Sequence, residues 1–168
     1  ILSGLVGSEM CIRDSNTNTS KSLLKALRAS QESGVLWLNG DVVFDHRVLE
    51  RVSERMKKDQ SFVCVNTSTV AEEEVKYTVD SAGNIKELSK TVKGGLGEAV
   101  GINFISAHEK AHVITQLEAC DAQDYFERGL ELAIMKNGLK MEPVDISDLF
   151  AVEVDFQDDL DRANKAIQ

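Results

Sequence analysis

The sequence predicts an α/β fold built on a mostly parallel sheet, with a β-hairpin inserted into it. Two short apolar runs, Val35–Leu38 and 62–65, are typical of buried strands. Residues 45–57 between them carry apolar side chains at helical spacing, so the order strand, helix, strand predicts a βαβ unit with a right-handed crossover. Residues 72–90 then alternate apolar and polar side chains around the turn sequence 81–84, which predicts the hairpin.

The other elements follow from apolar periodicity and from the residues that begin or end an element. A first helix is expected at 20–33, with Ser20 as its N-cap and Gly34 just past its end. Further helices are expected at 106–120, 124–137 and 159–167, and further strands at 99–105, 141–146 and 150–156. Pro143 assigns the strand 141–146 to a sheet edge, because proline cannot donate a hydrogen bond to a central ladder.

Composition and charge limit the classes of partner. The net charge of −9, without a basic cluster longer than two residues, argues against nucleic acid or an anionic membrane surface. No apolar run approaches the length of a membrane span. Cys11, Cys64 and Cys120 stand at spacings that fit neither a disulfide framework nor a zinc site, so a reducing cytoplasm is the expected location. The 168 residues suffice for one domain, and their pattern leaves the oligomeric state open.

The first 15 residues need a separate interpretation. Residues 5–15 match the translation of a transposon-end sequencing adapter. A short apolar leader is the alternative, but the basic start and small-residue cleavage site of a signal peptide are missing. We therefore treat 1–15 as an adapter-derived artefact and 16–168 as the carboxyl-terminal part of a domain, and we expect the natural protein to extend further upstream.

The stretch Asn39-Gly40-Asp41 is the strongest candidate for a functional site. It directly follows the strand Val35–Leu38, and ligands of open α/β sheets bind beyond the carboxyl ends of the strands. Asp41 is expected either to handle a metal or phosphate there, or to cap the next turn. Near the other end of the chain, Glu153 and Asp155 stand two residues apart on a predicted strand and should therefore point to the same face.

Three other features carry weaker signals. The glycine-rich basic loop 90–98 does not match a P-loop pattern, and a mobile surface loop is the simpler interpretation. His108 and His112 have the i, i+4 spacing of metal-binding pairs, but the residues between them are typical of a solvated helix face. Tyr125 can either reach the site or pack at its rim, and the acidic run 72–74 is more typical of a solvated strand edge than of a metal site.

In this order the motifs resemble those of nucleotidyltransferases, in particular choline-phosphate and phosphonate cytidylyltransferases and sugar-1-phosphate nucleotidyltransferases. The matching stretches are 18–27, 38–41, 88–90, 97–102, 152–155 and 159–160. The resemblance covers 16–168 and implies a Rossmann-like, three-layer α/β/α domain that is incomplete at its N-terminus. The family's glycine-rich loop, which holds the nucleotide triphosphate, has no counterpart before Asn18.

The resemblance also implies roles for seven residues at one edge of the sheet. They are Asp41 and Asp155 as Mg²⁺ ligands and catalytic residues, Lys90, Glu98 and Glu153 as substrate-binding residues, and Asn39 and Gly40 as nucleotide-binding residues. Mg²⁺ prefers carboxylate oxygens and keeps phosphates and water in its remaining positions. Lys90 would meet a substrate phosphate as a point charge, and Glu153 would contact the acceptor or support Asp155.

The reaction implied is Mg²⁺-dependent transfer of a nucleotidyl group, with CTP favoured, to a phosphorylated small alcohol or sugar, with release of pyrophosphate. The absence of a left-handed β-helix repeat at the carboxyl end favours a small alcohol over an amino sugar. Two alternatives remain open: a metal-dependent glycosyltransferase that uses Asp41 and Asp45, and a fragment that binds ligand without turnover. For these 168 residues alone we expect no activity.

Overall fold

The computed structural model describes residues 17–30, 32–68, 70 and 74–166. The adapter-like stretch 5–15 lies outside the described residues, as do Glu72 and Glu73 of the acidic run. The described part of the chain contains five helices: α1 (Thr19–Ala29), α2 (Arg47–Lys57), α3 (Lys110–Ala119), α4 (Phe126–Asn137) and α5 (Gln157–Ala166). Its eight strands are β1 (Val35–Leu38), β2 (Val42–Phe44), β3 (Phe62–Asn66), β4 (Lys76–Val79), β5 (Ile85–Ser89), β6 (Glu98–Ile105), β7 (Glu142–Asp145) and β8 (Ala151–Glu153).

Six of these strands form a mixed sheet around the long strand β6. The order is β5-β4-β6-β3-β7, and β1 also pairs with β6. Strands β1, β3 and β4 are antiparallel to β6, so they share one direction, and β7 joins β3 in a parallel ladder at the edge. The predicted α/β class with an inserted hairpin, β4–β5, is confirmed. Pro143 lies in the edge strand β7, as predicted.

Helices cover both faces of the sheet, which gives the predicted three layers. Alternate residues of β3 enter two different cores because successive side chains of a strand point to opposite faces. Val63 and Val65 pack with apolar residues of α1, α3 and α4, whereas Phe62 and Cys64 pack with Val48 and Val52 of α2 and with other sheet residues. The continuous apolar run of β3 is therefore explained by burial on both sides.

Strands β2 and β8 form a separate two-stranded antiparallel sheet. The predicted strand 150–156 is shorter than expected, because only Ala151–Glu153 pairs. The amides of Asp155 and Phe156 donate instead to the Asp159 carboxylate, at 3.3 and 2.9 Å, where α5 begins. Asp155 therefore follows the strand, and the predicted shared strand face of Glu153 and Asp155 is wrong.

The start of α1 also differs from the prediction. Its N-cap is Asn18, whose side-chain oxygen accepts a hydrogen bond from the amide of Thr19 at 2.7 Å. Ser20 lies inside the helix and is fully buried. At the start of α2, the carboxylate of Asp45 accepts a hydrogen bond from the amide of Arg47 at 2.9 Å. No helix in the described ranges is long and apolar enough to cross a membrane.

Helix α4 ends at Gly138, which supplies a test of the fold. Gly138 has a φ of 69°, in the left-handed region that favours glycine. We expect Gly138→Ala to lower the free energy of unfolding by about 1 kcal/mol, because a Cβ is unfavourable at this φ. Urea denaturation followed by circular dichroism measures the change. Gly40→Ala is the matched control, since a Cβ there would meet nothing within 4 Å and the φ of Gly40 is not in the left-handed region. Equal stability of the two variants would contradict this interpretation.

Candidate active site

The Asn39-Gly40-Asp41 turn joins β1 to β2 and is held against β6. The amide of Asn39 donates to the carbonyl oxygen of Gly101 at 2.8 Å. Gly101 has a φ of 70°, and a Cβ on it would lie 2.7 Å from the Asn39 side-chain carbon Cγ. Glycine is required at 101 for both reasons, because the backbone is left-handed and the Asn39 side chain fills the space of a Cβ.

Pairing of β2 with β8 brings the carboxyl-terminal acidic segment to this turn. Val42 lies opposite Glu153 in the ladder, and the amide of Val154 donates to the carbonyl oxygen of Asp41 at 2.9 Å. The Asn39 side-chain amide donates to Glu153 at 3.4 Å. Two segments more than a hundred positions apart, predicted separately from the sequence, therefore meet at one corner of the molecule.

The carboxylates at this corner influence one another. Burial raises the pKa of Glu153, and the neighbouring charges of Asp41, Glu74 and Asp155 raise it further. The hydrogen bond from Asn39 acts in the opposite direction and favours the charged form. Negative charge is thus concentrated where β1 and β8 end.

A pocket of about 620 Å³ opens beside the turn, between the sheet and helices α1 and α4. This volume lies within the usual range for small-molecule sites. Five of the residues predicted from the sequence line it: Asn39, Gly40, Asp41, Lys90 and Glu153. Tyr125 also lines it at the rim, with 55% of its surface exposed and its ring 5.7 Å from the Lys90 amino group.

The two other predicted residues do not belong to the pocket lining. Asp155 is exposed and follows Val154, the residue bonded to the Asp41 backbone. Glu98 begins β6 and lies opposite Asn66 of β3 and Lys76 of β4. Asp155 is therefore next to the turn, whereas Glu98 is part of the ladder beyond the pocket.

The acidic side chains that line the pocket fit a hard divalent cation by their chemistry. The pocket lining contains six acidic side chains, Asp41, Glu74, Asp124, Glu127, Glu131 and Glu153, but only two basic ones, Lys90 and Arg128. Within the described ranges, no group of three or more His, Cys, Asp or Glu side chains is arranged to hold a metal. Mg²⁺ does not require such a group, since one or two carboxylates together with substrate phosphates suffice.

Asp45 and the histidine pair lie outside the pocket lining. The carboxylate of Asp45 bonds the Arg47 guanidinium, which holds the pKa of Asp45 at about 2. Asp45 is thus paired with Arg47 and does not line the pocket, whereas Asp41 does. His108 and His112 are both exposed on the surface.

The glycine-rich loop also has a structural explanation. A Cβ on Gly97 would lie 2.4 Å from the backbone oxygen of Asn66, and a Cβ on Gly95 would lie 2.8 Å from the side chain of Lys76. These glycines allow the loop to approach β3 and β4 closely. Only Lys90, at the start of the loop, lines the pocket.

Sequence reasoning missed three pocket residues, Trp37, Asn103 and Glu127. Trp37 looked like a core residue of an apolar strand, and Glu127 like an ordinary acid in the first turn of a helix, where the dipole favours it. Asn103 carried the clearest signal, because a polar residue interrupts the apolar run of β6. Glu127 is unusual electrostatically, since burial raises its pKa to about 7 despite the nearby charge of Lys90.

This architecture matches solved structures closely enough to define the fold. An inositol-1-phosphate CTP transferase from T. maritima superposes with a TM-score of 0.70 at 13% identity, over 90% of this chain and 63% of that one. The CTP:phosphocholine cytidylyltransferase from Streptococcus pneumoniae gives a TM-score of 0.66 at 12% identity, over 92% and 65%. The chain has a nucleotidyltransferase fold.

The nucleotidyltransferase fold extends to structures whose names mention other substrates. A structure assigned as a glucose-1-phosphate thymidylyltransferase from Bacillus anthracis gives a TM-score of 0.68 at 13% identity, over 89% of this chain and 61% of that one. The chain thus spans a little over three fifths of the length of each of these three structures. No family model and no curated protein matches the sequence.

The raised pKa of Glu127 predicts a pH-dependent stability. Because the folded state holds this proton more tightly than the unfolded state, whose value is near 4.5, the stabilisation is complete below pH 4.5 and is lost as the pH rises through 7. We expect the free energy of unfolding of the parent chain to fall by about 2–3 kcal/mol more between pH 5 and pH 8 than that of Glu127→Gln. Urea denaturation of both proteins at the two pH values measures it.

The exposed Glu118 provides the control for this experiment. Its carboxylate pairs with Arg28 on the surface, so Glu118→Gln should keep the pH dependence of the parent protein. Parallel pH profiles for the parent chain and Glu127→Gln would contradict the assignment of a buried, proton-retaining carboxyl at this position.

Proposed function

We propose that the natural protein transfers a nucleotidyl group from a nucleoside triphosphate to a phosphorylated small alcohol or sugar, with release of pyrophosphate. The observation that carries the proposal is the meeting of the Asn39-Gly40-Asp41 turn with the Glu153–Asp155 segment at the mouth of a pocket. The nucleotidyltransferase fold supports it. Because the chain spans only part of its structural relatives, the activity is proposed for the whole protein.

The charge of the pocket supports a requirement for Mg²⁺. Both proposed substrates carry phosphates, and a pocket with six acidic and two basic lining residues would repel them without a bound cation. Asp41 and Asp155 are the proposed ligands, as carboxylates on adjoining segments. Bound Mg²⁺ would neutralise charge on the triphosphate and favour departure of pyrophosphate.

The remaining residues would position the substrates. Lys90, at the pocket rim, would meet the acceptor phosphate as a point charge. A phosphate monoester dianion is already a nucleophile, so the chain needs no general base, and alignment supplies much of the rate. Glu153, held by Asn39, would orient the acceptor or the metal ligands. Asn39 and Gly40 are proposed to contact the nucleotide, and Glu98 stays a proposed substrate contact.

CTP is the favoured nucleotide because two of the structural relatives are named for CTP. A cytoplasmic location is proposed from the free, buried thiols of Cys64 and Cys120, which a reducing compartment would preserve.

Replacing Asp41 tests the metal site. We expect Asp41→Asn, in the protein extended upstream, to lower the Mg²⁺-dependent release of pyrophosphate from CTP by at least about 100-fold, because one hard anionic ligand is lost. Circular dichroism should show an unchanged fold, since Asp41 is exposed. A second measurement is the broadening by Mn²⁺ of NMR signals from the 168-residue chain. Signals near residue 41 should be broadened less in Asp41→Asn than in the parent chain.

Asp121→Asn is the control, because Asp121 is an exposed acid outside the pocket lining. It should leave both the rate and the Mn²⁺ broadening unchanged. A normal rate in Asp41→Asn would remove Asp41 from the proposed metal site.

We further propose that these 168 residues do not turn over alone. The glycines at 95 and 97 serve close packing, so they do not offer the open backbone cradle that a triphosphate requires. Pyrophosphate release should therefore be undetectable with this chain and should appear when an upstream segment containing a glycine-rich loop is added. Turnover by the chain itself would refute this proposal.

A further inference from the structure

The floor of the pocket carries three polar side chains that the proposed mechanism does not use: Trp37, Asn103 and Glu127, here called the polar trio. Trp37 and Asn103 are partners in the β1–β6 register, so their side chains lie next to each other on one face of the sheet. The Trp37 ring meets Phe126 edge-on at 5.8 Å, and Glu127 follows Phe126 in the first turn of α4. The three side chains of the polar trio therefore come from β1, β6 and α4 and line the same part of the pocket.

Each member of the polar trio has a buried polar atom without a hydrogen-bond partner. These atoms are the indole nitrogen Nε1 of Trp37, the amide nitrogen Nδ2 of Asn103 and the carboxyl oxygen Oε2 of Glu127. Asn103 is only 1% exposed. A buried polar group without a partner costs about 1–3 kcal/mol, so such groups are rare in folded proteins and need an explanation. In the described part of the chain only one other side chain, Thr17, has such an atom.

The chemistry of the polar trio defines what would satisfy it. Trp37 and Asn103 each present an N–H donor and therefore need hydrogen-bond acceptors. A quaternary ammonium group has neither acceptors nor donors and would leave both unsatisfied. Hydroxyl groups both accept and donate, so a chain or ring of hydroxyls can serve the two N–H groups and the Glu127 oxygen together.

We propose that the polar trio is a subsite for hydroxyl groups, so that the acceptor is a polyol phosphate and not a phosphate of a cationic alcohol. The inference rests on the proposed function only in taking the ligand to carry a phosphate. Lys90 marks the place of that phosphate, at the rim above Tyr125. The phosphate would lie at the mouth of the pocket, and the hydroxylated part would reach the floor.

The electrostatics of Glu127 agree with a neutral, hydroxylated partner. Its pKa of about 7 lets it exist in both forms near neutral pH, since burial disfavours the charge and Lys90 favours it. The protonated form donates a hydrogen bond and the ionised form accepts one, and a hydroxyl group serves either form.

The single tryptophan of the sequence makes the subsite directly observable. Because Trp37 belongs to the polar trio, its fluorescence should change when the floor is occupied. We would titrate the 168-residue chain with sorbitol 6-phosphate, hexyl phosphate and phosphocholine at one pH, one ionic strength and one saturating concentration of Mg²⁺, because the acidic pocket lining repels phosphates when no cation is bound. Sorbitol 6-phosphate should bind at least about tenfold more tightly than the other two, since it alone offers several hydroxyls to the unpaired groups.

Variants separate the polar trio from the rest of the pocket. Asn103→Leu removes the amide at similar volume, and Trp37→Phe removes the indole N–H while keeping an aromatic ring against Phe126. Calorimetric titration should show sorbitol 6-phosphate binding weakened about fivefold by each, with hexyl phosphate binding unchanged. Asn164→Leu, a matched change on the exposed surface of α5, should alter neither. Cooperative thermal unfolding establishes that each variant is folded.

Several outcomes would overturn the proposal. Phosphocholine or hexyl phosphate binding as tightly as the polyol would show that the hydroxyls are not recognised. The proposal would also fail if none of the three probes bound. It would fail as well if the variants weakened hexyl phosphate binding as much as sorbitol 6-phosphate binding, or if both folded variants bound sorbitol 6-phosphate as tightly as the parent chain.

The test is separable from that of the proposed function. Tight, trio-dependent polyol phosphate binding without pyrophosphate release by the extended protein would refute nucleotidyl transfer and keep the subsite. Pyrophosphate release with phosphocholine and no preference for the polyol would refute the subsite and keep the transfer reaction.

Discussion

The hydrogen bond from the Val154 amide to the Asp41 carbonyl oxygen joins two segments that are more than a hundred positions apart in the sequence. It continues the β2–β8 ladder by one step beyond the paired residues Val42 and Glu153. Every acidic group of the proposed metal site depends on this junction, because Asp41 belongs to one segment and Asp155 to the other. The main sheet supplies the second constraint, through the contact between Asn39 and Gly101. A turn fixed on both sides holds its carboxylate in one place, as a site for a small cation requires.

The same junction concentrates negative charge, and this has consequences for the rest of the pocket. Glu153 and Glu127 both have raised pKa values, and burial is the first cause in each case. Burial disfavours the charged form of each side chain, and groups with perturbed pKa values cluster at functional sites. The pocket thus has two chemically different regions: an acidic mouth suited to a cation with phosphates, and a floor of neutral N–H donors and one proton-retaining acid. A substrate with a phosphate at one end and hydroxyls at the other would match both.

Some polar and glycine residues for which the sequence left a functional role open have structural roles. Asp45 accepts hydrogen bonds from Arg47, the first residue of α2, and Gly95 and Gly97 allow a loop to approach its neighbours. Conversely, the three members of the polar trio looked structural. The reason is general: a residue type reveals which chemistry is available, but the neighbours that engage or expose it come from distant parts of the chain.

The sequence by itself determined the α/β class, most helices and strands, the edge position of β7 and the turn Asn39-Gly40-Asp41, because these depend on local periodicity and on local backbone preferences. It also supplied the ordered motifs that suggested a nucleotidyltransferase. Only the tertiary structure decided that Asp155 leaves its strand, that Glu98 lies outside the pocket lining and that Trp37, Asn103 and Glu127 share the pocket floor. These features depend on the register of the strands and on which buried polar groups form hydrogen bonds. Both are determined by contacts between residues that are distant in the sequence.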